Sequence, residues 1–310
     1  MLRYTARRLA TAMLLLFVLS LAAFVLLFAA GDPAVRMAGE AGTAADAARI
    51  RESLGLDRNI FVQYAEWLVR VVGGDLGNSL YFRQPVADLI AQRLSTTATL
   101  GVSAMALALI LGIPLGVVAA WNEGRPVDRM ILAFAAVGQA MPSFWLGLLL
   151  ILWFGVGLRW FPVSGSETLL HFVLPSITLA FFALPPILRL TRSGMIDTLS
   201  QDYIRTSRAM GLSERRILFV YGLRNAIIPV VSISAAQFGA MLAGSIVVEN
   251  VFALNGAGRL AWESIQRADL PTVQALVMLF ALIYVVLTLC ADLLNAWLDP
   301  RIRSSYGLQH

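Results

Sequence analysis

Lysine is absent from the 310-residue chain, so all 24 basic residues are arginine; there is one cysteine and there are two histidines. Cys290 sits alone inside an apolar run, which excludes an internal disulfide. His171 and His310 lie far apart with no ligand spacing around them, so no metal motif is present. There is no GxxxxGK[ST] loop, which excludes ATP binding of that kind. No nucleophile–base arrangement stands out, which argues against an intramembrane enzyme. Charge is scarce as well. Charged residues make up 14% and hydrophobic residues 58%, with a mean hydropathy of +0.74. Soluble domains carry about a quarter charged residues, so the apolar excess assigns much of this chain to lipid. The net charge is +5, but the arginines fall between apolar runs and form no basic face with interleaved aromatics. Membrane topology explains them better than nucleic acid does.

What is present is a set of six apolar runs, each long enough to cross a bilayer core as a helix. They cover about Leu9–Ala30, Thr97–Trp121, Met130–Leu158, Leu169–Leu188, Ala226–Val248 and Val273–Leu294. The sequence thus predicts an all-α integral membrane protein with six transmembrane helices. The first run follows Arg3, Arg7 and Arg8 but exceeds the roughly 7–15 residues of a signal-peptide core, and reads as an uncleaved anchor. The third run is long for one span; Pro142 is expected to kink it and tilt to absorb the rest. The centres of the runs hold almost no ionisable groups of the kind an ion-coupled carrier needs. Glu249 and Asp292 lie toward run ends, and Gln139 and Gln237 do not titrate.

Arginine counts orient the chain. With the N-terminus inside, the inner segments hold Arg3, Arg7, Arg8, Arg125, Arg129, Arg189, Arg192, Arg205, Arg208, Arg215, Arg216, Arg224, Arg301 and Arg303. The two short outer segments hold only Arg159, Arg259 and Arg267. Short segments decide orientation, so both termini are expected in the cytoplasm. A long outer segment, about Gly31–Ser95, follows the first span. In it, "AADAARIRESLGL" reads as a helix ending at Gly55. "FVQYAEWLVRVV" reads as an amphipathic helix with Phe61, Tyr64, Ala65 and Leu68 on one stripe, and "GGDLGNS" as a turn cluster. The segment is expected to cover a pore mouth, lie at the interface or form a small cap. The chain divides into residues 1–95, a core of 96–298 containing the inner loop 189–225, and a cytoplasmic tail of 299–310.

The inner loop is polar in an otherwise oily chain. Ser200 is a candidate N-cap, with Asp202 in the first turn. A short helix follows through Met210, and Gly211 takes the left-handed position that ends it. Ser213 and Glu214 then open a second helix, which carries Ile217, Leu218, Val220 and Tyr221 toward the membrane. The apolar and basic surface of the first helix suits docking into a partner's groove. In the fifth run, Ser232, Ala236, Ala240 and Gly244 recur every four residues, with Ala235, Gly239 and Ala243 beside them. Small residues at this spacing let helices approach closely, either as a path-lining interface or as static packing.

The loop "DYIRTSRAMGLSERRILFVYGLRNAIIPVV" resembles the signature of ABC-importer permeases of the dipeptide, oligopeptide and nickel type. "MLRYTARRL", "GDPAVRMAGE", "LGLDRNIFVQYAEWL", "GIPLGVVAA", "MPSFWLGLLL", "VVENVFALNGAGRL" and "DPRIR" extend the resemblance in order along nearly the whole chain. It is the first permease of the usual pair that the chain resembles. Departures are visible. The EAA positions of the general loop pattern are Arg205, Thr206 and Ser207 here, the following proline comes late, at Pro229, and the "WPGLGRL" of the family is "LNGAGRL".

The resemblance implies a permease subunit, not itself an enzyme, in the inner membrane of a bacterium. It implies a second homologous permease, two ATPase subunits using ATP and magnesium, and an outer substrate-binding protein. No cofactor is expected in this chain. Tyr203, Arg205, Thr206, Arg208, Ala209 and Gly211 would form the ATPase-coupling helix. Ser232, Ala236, Gly239, Ala240, Gly244 and Pro142 are the candidates for the translocation path or its packing. Peptides are the expected solute, with nickel and glutathione as alternatives.

Overall fold

A chain with this little charge must satisfy its backbone internally, and a computed structural model shows it doing so with helices. The structure describes residues 2–29, 33–38, 42–53 and 57–298. Gly55 and the tail 299–310, with Arg301 and Arg303, lie outside them. Among the described residues the only strand-like feature is an isolated bridge between Asn78 and Pro85. The helices are α1 (Leu2–Ala29), α2 (Pro33–Ala38), α3 (Ala44–Ser53), α4 (Ile60–Val72), α5 (Val86–Trp121), α6 (Pro126–Ala140) and α7 (Ser143–Leu150). They continue with α8 (Val173–Leu199), α9 (Asp202–Ala209), α10 (Glu214–Arg216), α11 (Leu223–Val251), α12 (Ala257–Gln266) and α13 (Leu270–Leu298). A π-helical stretch extends α7 to Gly157, and another, Ile217–Gly222, joins α10 to α11.

Among the described residues, five stretches are continuous, long and apolar enough to cross a membrane: Thr5–Val25, Val86–Trp121, Leu169–Leu199, Glu214–Val251 and Leu270–Leu294. The sixth candidate is broken. The pieces Pro126–Ala140 and Ser143–Gly157 meet at 102°, so Pro142 ends one helix and starts another instead of kinking a single span. The reason is local. A proline ring disfavours helical geometry in the residue before it, and Met141 is extended at ψ 129°. Pro142 itself, at ψ 135°, caps α7. Pro114, Pro185, Pro186 and Pro229 lie inside helices that run on through them.

The central helix is α8. Its Leu174, Leu179, Ala183, Leu184, Ile187 and Leu188 are buried against Leu100, Ala104 and Ala108 of α5 and Val230, Met241 and Val248 of α11. At the periphery, α1 leaves Met13, Leu14 and Phe17 more than half exposed, an apolar face for lipid or another chain. Helices α1 and α13 lie antiparallel. Arg8 pairs with Asp292 at 2.8 Å near one end, and Gln274 Nε2 donates to the Ala23 carbonyl at 2.9 Å toward the other.

The segment after α1 is ordered over its described residues. Thr43 and Asp46 form a capping box for α3, and the Thr43 hydroxyl holds the Asp46 carboxyl below the usual carboxylate range. Helix α4 is amphipathic, but its packed stripe is Tyr64, Trp67, Leu68 and Val71, whereas Phe61 is 79% exposed and Ala65 also faces out. An aromatic cluster selects that face: Phe24 of α1 lies 5.4 Å from Tyr64 and 5.7 Å from Trp67, and Ser20 bonds the Tyr64 hydroxyl at 2.6 Å.

Candidate coupling surface and translocation path

The loop between α8 and α11 is shorter than its sequence suggests. Helix α8 runs on to Leu199, carrying Arg189 and Arg192 within it, and the α10–α11 stretch is continuous from Glu214. Ser200 is therefore the C-cap of α8, its hydroxyl donating to the Asp197 carbonyl, and Gln201 occupies the N-cap of α9 without a side-chain bond. Ser213 is the N-cap before Glu214, also without one. Between them, α9 ends in a Schellman turn. Leu212 N donates to Ser207 O at 3.2 Å and Gly211 N to Arg208 O at 2.9 Å, with Gly211 at φ +77°.

One face of α9 is anchored. Ile204 and Ser207 are buried, and the Tyr203 hydroxyl receives a bond from Asn225 Nδ2 at 3.0 Å. The other face is open. Tyr203, Arg205, Thr206, Arg208, Ala209, Met210 and Gly211 are all exposed, Met210 by 74%. Arg205 is loosely paired to Asp202 at 3.5 Å, and Arg208 Nε meets Glu214 at 3.1 Å, which ties α9 to α10. The result is a short helix fixed at its back that presents arginines and a methionine outward.

Two arginines one turn apart on α8 are treated differently. Arg192 makes two bonds to the Asp128 carboxylate of α6, at 2.7 and 2.8 Å, and Asp128 also accepts from Gly124 N at 3.0 Å. This forked pair fastens the start of α6 to α8. Arg189 donates instead to a neutral amide, Gln139 Oε1, at 2.7 Å. Among the described residues no carboxylate pairs with it.

Gln139 borders a cavity of about 320 Å³ at the α6–α7 break. Met141 and Ser143, on either side of Pro142, line it, with Thr178, Phe181 and Phe182 of α8 and Gln237 and Gly244 of α11. No charged side chain is among the lining residues. The small-residue rows of α11 therefore divide. Gly244 opens on the cavity, whereas a Cβ at Gly239 would stand 2.2 Å from the Tyr284 ring of α13, so Gly239 serves close packing. Ala236 and Ala240 are half-exposed and Ser232 exposed, elsewhere on α11.

The end of the bundle opposite α9 holds a group that the sequence placed only toward the end of an apolar run. Glu249, at the end of α11, has no exposed surface. Its carboxylate accepts from Thr97 Oγ1 at 2.8 Å, Ser245 Oγ at 3.1 Å and Arg259 N at 2.8 Å. Thr97 in turn accepts from Ala257 N at 2.8 Å. Glu249 and Thr97 together satisfy the first amides of α12, where negative charge also suits the helix dipole. The glycines of "LNGAGRL" make room for this: a Cβ on Gly256 would lie 2.3 Å from Glu249 Oε2. The sequence signal was an acidic residue closing an apolar run, followed by Gly-x-Gly. Nearby, fully buried Asp269 accepts from Ser79 Oγ at 2.5 Å, Leu80 N at 2.9 Å and Thr272 Oγ1 at 2.7 Å, which holds the segment before α5 to the start of α13.

The chain matches known proteins along almost all of its length. A family model described as "binding-protein-dependent transport system inner membrane component" matches residues 112–304, and a companion for the N-terminal part of such membrane components matches residues 1–101. The glutathione transport system permease protein GsiC of Escherichia coli strain K12 is 40% identical over 304 residues, 98% of this chain and 99% of that one. The protein of the same name from Salmonella paratyphi A is also 40% identical, with the same coverage. Among solved structures, one titled "Inward facing conformations of the MetNI methionine ABC transporter" aligns with a TM-score of 0.58 at 18% identity. It covers 68% of this chain and 96% of that chain, a likeness of fold. The chain thus belongs to the binding-protein-dependent transport system inner membrane components, as a multi-pass permease of an ABC importer.

Proposed function

We propose that the chain is one of two permease halves of an ATP-driven importer for small peptides, glutathione included, delivered by a substrate-binding protein. The single observation that carries this reading is α9, whose back is anchored by Ile204 and Ser207 and whose front exposes Tyr203, Arg205, Arg208 and Met210, its two arginines held only by exposed pairs to Asp202 and Glu214. Such a surface needs a partner with a groove and acidic groups. In this reading the partner is an ATPase subunit, which binds ATP and magnesium, and α9 faces the cytoplasm with both termini. Closure of the ATPase pair pushes on α9. The Schellman turn at Gly211 passes the push to α10 and α11, and the end of α8 moves with them. The second permease completes a path beside the cavity. The relatives named for glutathione transport support a peptide-like solute.

The test is uptake into proteoliposomes that hold both permeases and both ATPases, with the binding protein outside. We expect accumulation of labelled glutathione or dialanine that needs ATP and survives an uncoupler. Uptake that needs no ATP and stops with the uncoupler would assign the chain to ion-coupled transport instead.

A further inference from the structure

We propose that Arg189 forms, with the neutral cavity beside it, a station on the path that receives a carboxylate of the passing solute; this rests on the importer reading above. The argument begins with charge. An arginine in a membrane helix is costly unless it faces water, a partner or an opposite charge. This chain neutralises one when it needs structure: Arg192 is forked on Asp128. One turn away, Arg189 is exposed and, among the described residues, bonds only the neutral Gln139. A guanidinium carries five N–H donors in a planar fork, so most of its capacity is left for a planar anion.

The position of the free charge matters as much as its existence. Gln139 borders the cavity, so Arg189 stands one side chain away from it. The rest of the polar lining is Gln237, Ser143 and Thr178, amides and hydroxyls that suit peptide groups. Ser143 brings the first turn of α7 to the cavity wall, and no side chain caps that turn. Discontinuous helices place such positive ends toward anionic substrate groups in other transporters. The cavity, about 320 Å³, is within the range of small-ligand sites. A solute entering it exchanges water for these polar groups, among which the Thr178 hydroxyl, donating to Leu174 O at 2.9 Å, can only accept, and its carboxylate displaces Gln139 from Arg189. One cation without a second keeps the site weak enough to release what it takes. The inferred solute class is a carboxylate-bearing small peptide; a bare divalent cation would be repelled here.

The experiment uses the complete transporter in proteoliposomes with the loaded binding protein, with glutathione and dialanine as probes. Arg189→Gln is expected to slow uptake about tenfold or more, the loss of one charge-assisted bond. ATP hydrolysis stimulated by the loaded binding protein should stay within about twofold, because the coupling surface is untouched. Arg189→Lys should recover part of the uptake, since it restores charge without the fork. Uptake by Arg189→Gln equal to that of the unaltered protein overturns the station. So does a parallel loss of uptake and stimulated hydrolysis, or a loss of co-purification with the second permease, either of which makes Arg189 an assembly residue. If the unaltered transporter takes up neither probe, the importer reading for peptides fails first, and the station falls with it.

Discussion

Glu249 and Arg205 stand at opposite ends of the bundle. Glu249 is wholly buried and satisfied by two hydroxyls and a backbone amide drawn from α5, α11 and α12. The Arg205 side chain is 77% exposed, and its pairing to Asp202 is 3.5 Å long. The α12 end thus closes its polar groups inside the chain, while the α9 end leaves them outside. A buried carboxylate that lost its donors would be expensive, so the first arrangement is rigid. Exposed pairs contribute little to stability, so the second is free to be completed by another subunit. The difference separates polar groups that the chain satisfies for itself from those that the proposed function assigns to assembly.

The largest expected effect lies at the closed end. Glu249→Ala removes the acceptor of Thr97 and Arg259 N, while Ser245 keeps the Leu242 carbonyl at 2.8 Å, and should destabilise the fold by about 3 kcal/mol or more. Thermal unfolding of the purified chain in detergent measures it. An unchanged midpoint would mean that the α12 end is held by packing alone.

Glu249 also marks the limit of what the sequence revealed. The spans were legible because length and hydropathy are properties of single segments. The Gly211 turn was legible because a helix, a glycine and a second cap lie within one short stretch. The role of Glu249 was not, since its Thr97 donor lies 152 residues away. Pro142 shows the same limit in another form: a proline in an apolar run announces a disturbance, and the backbone of Met141 decides that it is a break. Ser200 was read as opening α9 because serine suits an N-cap, but α8 extends far enough to use it as a C-cap. The fork between Asp128 and Arg192 joins segments 64 residues apart, beyond local pattern.

Next in size is the packing side of α11. Gly239→Ala places a methyl 2.2 Å from the Tyr284 ring, and the ring has to move. We expect a loss of about 1–3 kcal/mol, the usual range for overpacking. Gly244→Ala, whose Cβ would meet nothing nearer than Leu179 at 3.8 Å, should leave the unfolding midpoint in place. Equal midpoints for the two variants would erase the distinction between the packed row and the cavity row.

At the open end, Gly211→Val should act on transport more than on folding. A β-branched residue at φ +77° is strained by roughly 1–3 kcal/mol, too little to keep the chain out of the membrane. The strain falls on the turn that links α9 to α10, so ATP-driven uptake should drop while the amount of inserted protein holds. Gly211→Asn, which tolerates the left-handed region better, should be milder. Normal uptake by the valine variant would detach α9 from coupling.

The smallest effect on the chain itself, and the sharpest test of the contrast, belongs to Arg205→Glu. Among the described residues no buried group depends on Arg205, so the unfolding midpoint should not move. Orientation should hold too, because many other arginines remain on the same side. What should change is co-purification with the ATPase subunits, since the reversed charge now faces whatever acidic groups the guanidinium was meant to meet. Arg208→Glu does not isolate this, because it also sets a second carboxylate against Glu214, which now bonds Arg208 at 3.1 Å. Weaker co-purification by Arg205→Glu with an unmoved midpoint assigns Arg205 to the partner. Unchanged co-purification and unchanged ATP-coupled uptake would leave it with topology as its only task, and the open end would then owe its docking to Tyr203 and Met210 instead.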